Sequence, residues 1–194
     1  MLKWFEQVQE GGNIVCSKIR LARNLSEYVF PSRLSGEESR EMLARLGEGL
    51  QDLGDADGRD YEFAYLDELS DLDKRALKER RILNSFIVEK KGPMSILITR
   101  EEDVSLLLNG TDHIKIQVWQ PGLSLTEALK TANQVDDFVN SRFSYAFDEK
   151  YGYLTSFPTN VGTGLRASVT LHLPTLSQGK KFSSLVGEMS RFGL

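Results

Sequence analysis

The sequence is poor in side chains that form covalent cross-links or metal sites. Its 194 residues include one cysteine, Cys16, and two histidines, His113 and His172. A single cysteine excludes an internal disulfide framework and argues against a cysteine-rich zinc site. Neither histidine has a partner at a metal-ligand spacing such as His-Glu-x-x-His. We therefore predict no metal site, and we favour structural hydrogen bonds for both histidines over transient contact with a ligand.

Long hydrophobic runs are also absent, and residues 1–7 lack the extended apolar region of a signal peptide. We therefore expect no membrane partner and no export, with the cytoplasm as the location. The 24 basic and 28 acidic residues give a net charge of −4, which disfavours nucleic-acid binding unless the basic groups cluster. The hydrophobic share of 40% is ordinary for a globular protein.

The most distinctive segment present is a glycine turn in front of a strand, at residues 160–169. Gly162 and Gly164 allow a tight turn whose backbone N–H groups approach an anion closely. Residues 165–173 then alternate between apolar and polar, which predicts a half-buried strand with Arg166 on its polar face. Such a turn is most often only a hairpin, so this segment alone is a weak signal for a phosphate site.

Two further predicted strands carry basic groups on a polar face. In residues 14–23, Lys18 and Arg20 share one face by the two-residue period of a strand. In residues 113–119, Lys115 points away from the apolar side chains. If these strands neighbour the strand after the glycine turn, the four basic groups converge. Their mutual repulsion then calls for a multivalent anion, with a nucleoside triphosphate as the natural candidate.

The rest of the pattern predicts an α+β fold. Three capping patterns mark helix starts. They are Ser35 with Glu38, Ser70 with Asp73, and Ser124 with Glu127. Residues 95–99 and 104–108 flank a polar hairpin turn at residues 100–103, and with residues 113–119 they form a meander. Runs of strands, rather than alternating βαβ units, indicate an antiparallel β-sheet flanked by helices.

Three finer predictions concern the surface. Asp136 and Asp137 of the third helix are expected to face water. Residues 54–60 are expected to form a solvated connection, since their carboxylates lack the full calcium-loop spacing. A final helix is expected to carry an apolar stripe. The stripe consists of Phe182, Leu185, Val186, Met189 and Phe192.

Three runs, in this order, resemble the ATP:guanido phosphotransferases, or phosphagen kinases. They are CSKIRLARN at residues 16–24, NGTDHIKIQ at 109–117 and PTNVGTGLRASV at 158–169. A fourth run, FDEKYGYLT at 147–155, makes the chain most similar to the bacterial protein-arginine kinases of that family. The likeness extends from about residue 14 to residue 194. It implies a glutamine synthetase/guanido kinase-like catalytic domain.

The resemblance implies phosphoryl transfer from MgATP to a guanidinium nitrogen, here of an arginine in a protein substrate. ATP and Mg²⁺ are therefore the expected cofactors. It also implies a set of nucleotide-binding residues. They are Ser17, Lys18, Arg20, Lys115, Arg166, Ala167, Ser168, Val169 and Thr170. A protonated guanidinium is nearly non-nucleophilic, with a pKa above about 12, so a carboxylate has to orient it and accept a proton.

Departures from the family pattern fall on this chemistry. The family motif is Asn-Glu-Glu-Asp-His, with the second glutamate as the catalytic carboxylate, whereas this chain has Gly110 and Thr111 at the two glutamate positions. A threonine hydroxyl cannot act as a carboxylate base near neutral pH. Lys18 and Lys115 stand where the family has arginines. Two planar guanidinium groups that can donate two parallel hydrogen bonds are thus replaced by ammonium groups, which act as point charges. No catalytic residue of the motif is therefore intact.

Other family positions differ as well. Phe157 occupies the place of the family's active-site cysteine, and Arg81 aligns with a histidine that contacts the nucleotide. Arg20 and Arg166 remain as family phosphate arginines. The sequence ends before the glycine-rich loop with a further phosphate arginine, and before the helical domain that binds phosphoarginine in the family. We therefore expect residues 1–194 to be a single, C-terminally truncated catalytic domain without that helical domain.

Three explanations account for the altered and shortened sequence. It is a catalytically degenerate remnant, one piece of a split or frameshifted gene, or a truncated piece of a longer protein. We favour degeneracy, because truncation alone would not replace the two glutamates. Sheet edges and apolar surface that the family covers would be left open, which predicts self-association or pairing with another chain.

Two function classes follow. In the first, the domain is a protein-arginine kinase-like enzyme, impaired or completed by a second chain. In the second, it is a non-catalytic module that binds a nucleotide or a partner and regulates an active kinase. The expected partners are thus a nucleotide, and protein substrates or an active kinase or activator. Nucleic acid and membranes are not among them.

Overall fold

The computed structural model describes residues 2–7, 12–179 and 181–192, which form a mixed set of helices and strands. The strands are β1 Ile14–Arg23, β2 Tyr61–Tyr65, β3 Ser95–Thr99, β4 Val104–Leu108, β5 Ile114–Pro121, β6 Phe147–Asp148, β7 Gly152–Tyr153 and β8 Leu165–Leu171. The helices are α1 Gly36–Leu50, α2 Leu53–Asp57, α3 Asp71–Glu79, α4 Ser85–Glu89, α5 Leu125–Asn140, α6 Pro174–Ser177 and α7 Phe182–Arg191. Two 3₁₀ turns lie at Trp4–Glu6 and Pro158–Asn160.

Six strands form one sheet in the order β2-β3-β4-β5-β1-β8, and every neighbouring pair is antiparallel. The meander of β3, β4 and β5 and the hairpin turn at residues 100–103 are confirmed. β1 is inserted next to β5, and β8 forms the edge beside β1. The α+β class predicted from the sequence is therefore confirmed. The last three strands of this order also carry the basic groups.

Helices α1 and α5 supply the main core on one face of the sheet. Alternate side chains of the central strands, such as Ile19, Ile116 and Leu106, are buried against apolar helix residues. Ser35 caps α1, since its side chain accepts a hydrogen bond from the Glu38 backbone N–H. The burial of these apolar side chains between the sheet and helices α1 and α5 is the main source of the folding free energy.

The opposite face of the sheet has a smaller apolar cluster at one end and polar groups at the other. Trp119 stacks on Trp4 with 6.3 Å between ring centroids. Ile87 of α4 and Leu107 of β4 belong to the same cluster. The segment from α3 to α4 thereby lies over this face, and β8 with the adjoining part of β1 is less covered.

The prediction that Asp136 faces water is wrong. Its carboxylate accepts hydrogen bonds from the Arg23 guanidinium, at 2.7 Å from Nη2, and from the Tyr145 hydroxyl at 2.9 Å. The Arg23 guanidinium carbon lies 3.6 Å from the centroid of the Tyr153 ring. Arg23 is the last residue of β1 and lies on the helix-covered face, so it requires a buried counter-ion. Asp137 is exposed, as expected.

Three other sequence predictions need correction. Residues 53–57 form helix α2, in a segment predicted to be a solvated connection, and Leu53 anchors it in the core. Helix α5 begins directly after Ser124, as predicted, but the Ser124 side chain makes no capping bond, because its hydroxyl donates to the Pro121 carbonyl instead. Strand β8 is not half-buried, since the apolar Leu165 and Leu171 are exposed at the sheet edge.

Helix α7 confirms the predicted position of the final helix and exposes its apolar stripe. None of its residues is buried. Leu185, Val186, Met189 and Phe192 are all exposed. In the part of the chain that the structure describes, no helix is long and apolar enough to cross a membrane.

Substitution of the buried arginine tests the link between β1 and α5. Arg23→Met leaves the Asp136 carboxylate buried without its guanidinium partner, which costs about 3–5 kcal/mol in comparable buried pairs. Arg45→Met is the matched control, because Arg45 pairs with Glu27 on the surface and such pairs contribute about 1 kcal/mol or less. Urea unfolding of both variants gives the comparison. Equal small losses would contradict the assigned role of Arg23.

Candidate functional site: a basic cavity on the open face of the sheet

The glycine turn before β8 fixes that strand against β1. Gly164 has φ +65°, and a Cβ atom there would lie 2.5 Å from the Ala22 carbonyl oxygen. The backbone N–H of Ala22 donates to the Gly164 carbonyl at 2.9 Å, and the Arg23 guanidinium donates to the Thr163 carbonyl at 2.9 Å. A glycine is therefore required where the turn contacts β1.

Strand pairing brings the predicted basic residues together. Arg20 on β1 lies directly between Gln117 on β5 and Arg166 on β8. Lys18 is opposite Ser168 on β8, and Lys115 is opposite Ala22, two residues along β1 from Arg20. Residues directly opposite in antiparallel strands share a face. The adjacency on which the sequence argument depended is therefore present.

A cavity of about 120 Å³ lies among these side chains. Its lining consists of Lys18, Arg20, Arg81, Ile82, Leu83, Asn84, Ile87, Leu107, Lys115 and Gln117. Four basic groups and two amides thus surround the space above a partly apolar floor. The lining includes no carboxylate among the described residues. This arrangement suits an anion and excludes a cation.

Neutral groups hold most of the basic side chains in place. Lys18 Nζ donates to Gln117 Oε1 at 2.8 Å and lies 4.2 Å from the centroid of the Trp119 ring. Arg20 Nη2 donates to Asn160 Oδ1 at 3.0 Å. The Arg20 Nε atom is buried and has no partner among the described atoms. These contacts orient the cations without neutralising them.

Lys115 is the most exceptional of the basic residues. It is 6% exposed and lines the cavity, and its ammonium makes no hydrogen bond or ion pair with the described residues. Burial, with the charge of Arg20 nearby, lowers the pKa of Lys115 to about 8. Burial, with Arg20 and Lys115 nearby, lowers the pKa of Lys18 to about 7. Burial and the neighbouring Arg166 lower the pKa of Arg20 too.

Some residues predicted to bind nucleotide lie away from this cavity. Ser17 is buried on the helix-covered face, where its hydroxyl donates to the Gly122 carbonyl and accepts from the Ser124 N–H. Ala167 and Val169 lie on that same face of the sheet by strand alternation. The remaining β8 residues of the set, Arg166, Ser168 and Thr170, share the face of Lys18 and Arg20.

Arg81 reaches the same face from the segment after α3. It has φ +64°, and its Nη1 atom donates to Thr170 Oγ1 on β8 at 3.1 Å. Its backbone carbonyl lies 3.5 Å from Lys18 Nζ. Arg81 thus spans the space between the α3–α4 segment and the edge strand.

The loop between β4 and β5 contains Gly110 and Thr111, the two positions where the resemblance implies glutamates. Thr111 Oγ1 donates weakly, at 3.3 Å, to Oδ2 of Asp112. Lys90 Nζ donates to the carbonyl oxygens of Asn109 and Gly110, at 2.7 Å each. A Cβ atom at Gly110 would lie 3.0 Å from the Leu107 side chain. An ammonium group therefore lies beside the positions where the family motif has glutamates.

Asp112 is the carboxylate of this loop, and it is fully buried. Its Oδ1 atom accepts hydrogen bonds from Asn24 Nδ2 at 2.9 Å and from the Ser156 backbone N–H at 2.7 Å. The neighbouring His113 has the predicted structural role. Its Nδ1 accepts from the Leu25 backbone N–H at 3.0 Å, and Nε2 lies 2.9 Å from the Val29 carbonyl oxygen. Burial lowers the pKa of His113, which favours the neutral ring.

The other sequence-predicted positions lie outside the cavity. His172 and Phe157 are both exposed. Sequence reasoning missed Lys90 and Asn160 as members of the site. Lys90 follows the short helix α4 in an ordinary charged stretch, so no local signal marks it. Asn160 lies in the glycine turn motif, where asparagine is a common turn residue, so its presence there did not indicate a role in the site.

Comparison with known proteins identifies the family and agrees with the fold. The family model described as ATP:guanido phosphotransferase, C-terminal catalytic domain, matches residues 43–194. A protein-arginine kinase of Bacillus licheniformis is 41% identical over 192 residues, covering 98% of this chain and 53% of that protein. One from Geobacillus stearothermophilus is 38% identical over 189 residues, covering 96% of this chain and 52% of that protein.

This chain belongs to the ATP:guanido phosphotransferase family. It spans about half the length of the curated relatives it matches. Solved structures show the same fold. Lombricine kinase superposes with a TM-score of 0.70 at 22% identity, over 95% of this chain and 54% of that one. Substrate-free taurocyamine kinase of Schistosoma mansoni superposes with a TM-score of 0.73 at 24% identity, over 90% of this chain and 26% of that one.

The lowered lysine pKa values predict that stability rises with pH. Unfolded lysines have the ordinary pKa of 10.5, so between about pH 7 and pH 10 the unfolded state binds more protons than the folded state. The free energy of unfolding therefore increases across this window. Lys115→Met removes one of the two lysines. We expect the free energy of unfolding of this variant to rise less between pH 7 and pH 10 than that of the wild type, by more than about 1.4 kcal/mol, the value of one pKa unit.

Urea unfolding at pH 7, 8, 9 and 10 measures this difference. Lys130→Met is the matched control, because Lys130 is exposed on α5. We expect the control to follow the wild-type slope and Lys115→Met to be more stable than wild type at pH 7. Parallel slopes for all three proteins would contradict the buried, charged state of Lys115.

Proposed function

We propose that this chain is a phosphate-binding member of its family that does not phosphorylate arginine. One observation carries the proposal. The buried Lys115 side chain lines a cavity beside Lys18 and Arg20, and its ammonium makes no direct ion pair or hydrogen bond with the described residues. A buried, unpaired charge is costly unless a ligand of opposite sign compensates it. The phosphate groups of ATP or ADP are the ligand class that the family implies.

The acceptor side of the site supports the loss of catalysis. Arginine phosphorylation needs a carboxylate that orients the guanidinium and accepts its proton. Gly110 and Thr111 provide none, and Asp112 is buried and occupied by hydrogen bonds from Asn24 and Ser156. The Lys90 ammonium beside Gly110 would also repel an incoming guanidinium.

Magnesium enters this proposal only with the nucleotide. The cavity lining has six polar or basic side chains that suit phosphate oxygens, and the described lining residues include no carboxylate that would hold a free Mg²⁺. The residues therefore fit the phosphates of an MgATP complex and do not form a metal site of their own. When bound, the ion would neutralise phosphate charge.

The alternative is a protein-arginine kinase that is weakly active or completed by a second chain. The identity to protein-arginine kinases over nearly the whole chain favours it. Regulation of an active kinase, self-association and a cytoplasmic location stay predictions. The exposed apolar side chains of β8 and α7 support self-association.

Nucleotide titration and an arginine-kinase assay separate these functions. We expect MgADP and MgATP to bind in the high micromolar to millimolar range, more weakly as salt increases, with no phosphoarginine formed on arginine-containing protein substrates. Arg166→Ala should weaken binding about three- to tenfold, because one partly solvated charge-assisted contact is lost. Calorimetry measures the affinity, and acid-labile phosphate label measures the activity.

Two further variants provide controls. Arg40→Ala removes an exposed arginine from α1, in the opposite layer, and should leave nucleotide affinity unchanged. The double variant Gly110→Glu, Thr111→Glu restores carboxylates on the acceptor side and should not tighten nucleotide binding. Phosphoarginine made by the wild-type chain and lost in Arg166→Ala would overturn the proposal in favour of the enzyme.

A further inference from the structure

We propose that the basic cavity binds an inorganic oligophosphate, pyrophosphate or triphosphate, more tightly than it binds a nucleotide. The inference rests on the proposed phosphate-binding function and narrows its ligand class. It combines the size of the cavity, the charge of its lining and the contacts beside it.

The size of the cavity limits the ligand. Its volume is about 120 Å³, whereas pockets that hold drug-sized or cofactor-sized molecules are about 300–1,000 Å³. A nucleoside with its sugar and base cannot be enclosed in this space together with its phosphates. A short chain of phosphate groups has far less volume and no part that must be placed outside.

The charge of the lining favours several phosphate groups over one. Lys18, Arg20, Arg81 and Lys115 line the cavity, and Arg166 lies directly opposite Arg20 on the next strand. The lining contains no described carboxylate. An anion of three or four negative charges matches this set better than a single phosphate, which carries fewer than two near neutral pH.

The aromatic ring beside the cavity is not available to stack on a nucleobase. Bases bind well when they stack on an exposed aromatic ring. The nearby Trp119 ring is 1% exposed, and the Lys18 ammonium lies 4.2 Å from its centroid. Towards β8, the exposed hydrogen bond from Arg81 to Thr170 bridges the α3–α4 segment and the sheet edge. A nucleotide would have to break this contact, and an oligophosphate would not.

Calorimetry on the whole chain at pH 7 and fixed ionic strength, without divalent cations, tests the inference. The probes are pyrophosphate, triphosphate, ADP, ATP and adenosine. We expect the two inorganic anions to bind at least tenfold more tightly than the nucleotide with the same number of phosphates, and adenosine not to bind. Lys115→Met should weaken pyrophosphate binding at least tenfold, and the exposed control Lys130→Met should not change it.

Thr170→Val tests the contact between Arg81 and Thr170. It removes the hydroxyl that accepts from Arg81 with little change in volume, so the preference for pyrophosphate over ADP should narrow. Equal or tighter binding of ADP in the wild-type chain would overturn the inference and leave the proposed function intact. Failure of every phosphate probe to bind would overturn both. Pyrophosphate binding that is unaffected by Lys115→Met would place the ligand elsewhere and overturn the inference.

Discussion

Repulsion between like charges is the constraint on which this site depends. The antiparallel register sets Arg20 beside Arg166 and places Lys18 and Lys115 on the same face. The hydrogen-bond partners of Lys18 and Arg20 are neutral groups. Directly opposed like charges destabilise a sheet. Strands β1 and β5 hold this arrangement because their other face packs against α1 and α5 in the main core, and β8 is held by its pairing with β1. The favourable packing of one face thus allows an electrostatically unfavourable arrangement on the other, which a bound anion would relieve.

Lysine in place of arginine changes what such a site can do. An arginine guanidinium stays charged at every physiological pH, whereas a buried lysine loses its proton readily. Lys18 and Lys115 have pKa values lowered by burial to about 7 and about 8. An anion that binds the charged lysines therefore favours their protonation, and the two equilibria are coupled. Arginines at these two positions would offer planar, bidentate donors without this coupling to pH.

Local pattern was enough to predict much of the fold, and tertiary contacts account for the rest. The alternation in residues 14–23 and 165–171 predicted which basic side chains share a face, because that depends only on the strand period. The order of the strands could not be read from the sequence, because strand pairing is a tertiary contact that the structure alone shows. Asp136 was misread because its helix position looks exposed, and the buried Arg23 that pairs with it lies 113 residues away. Lys90 escaped prediction for the same reason, since only folding brings it to the carbonyls of Asn109 and Gly110.

The most direct test of this account is the titration of the lysine side chains by NMR, followed at Cε and Nζ in the free chain and in the chain saturated with pyrophosphate. Lys18→Gln and Lys115→Met assign the two signals. The account predicts two lysines that titrate near pH 7 and pH 8 in the free protein, and whose pKa values rise when the anion binds. Lysines that all titrate near the ordinary value of 10.5, or two low values that the anion leaves unchanged, would contradict the claim that this face is an anion site.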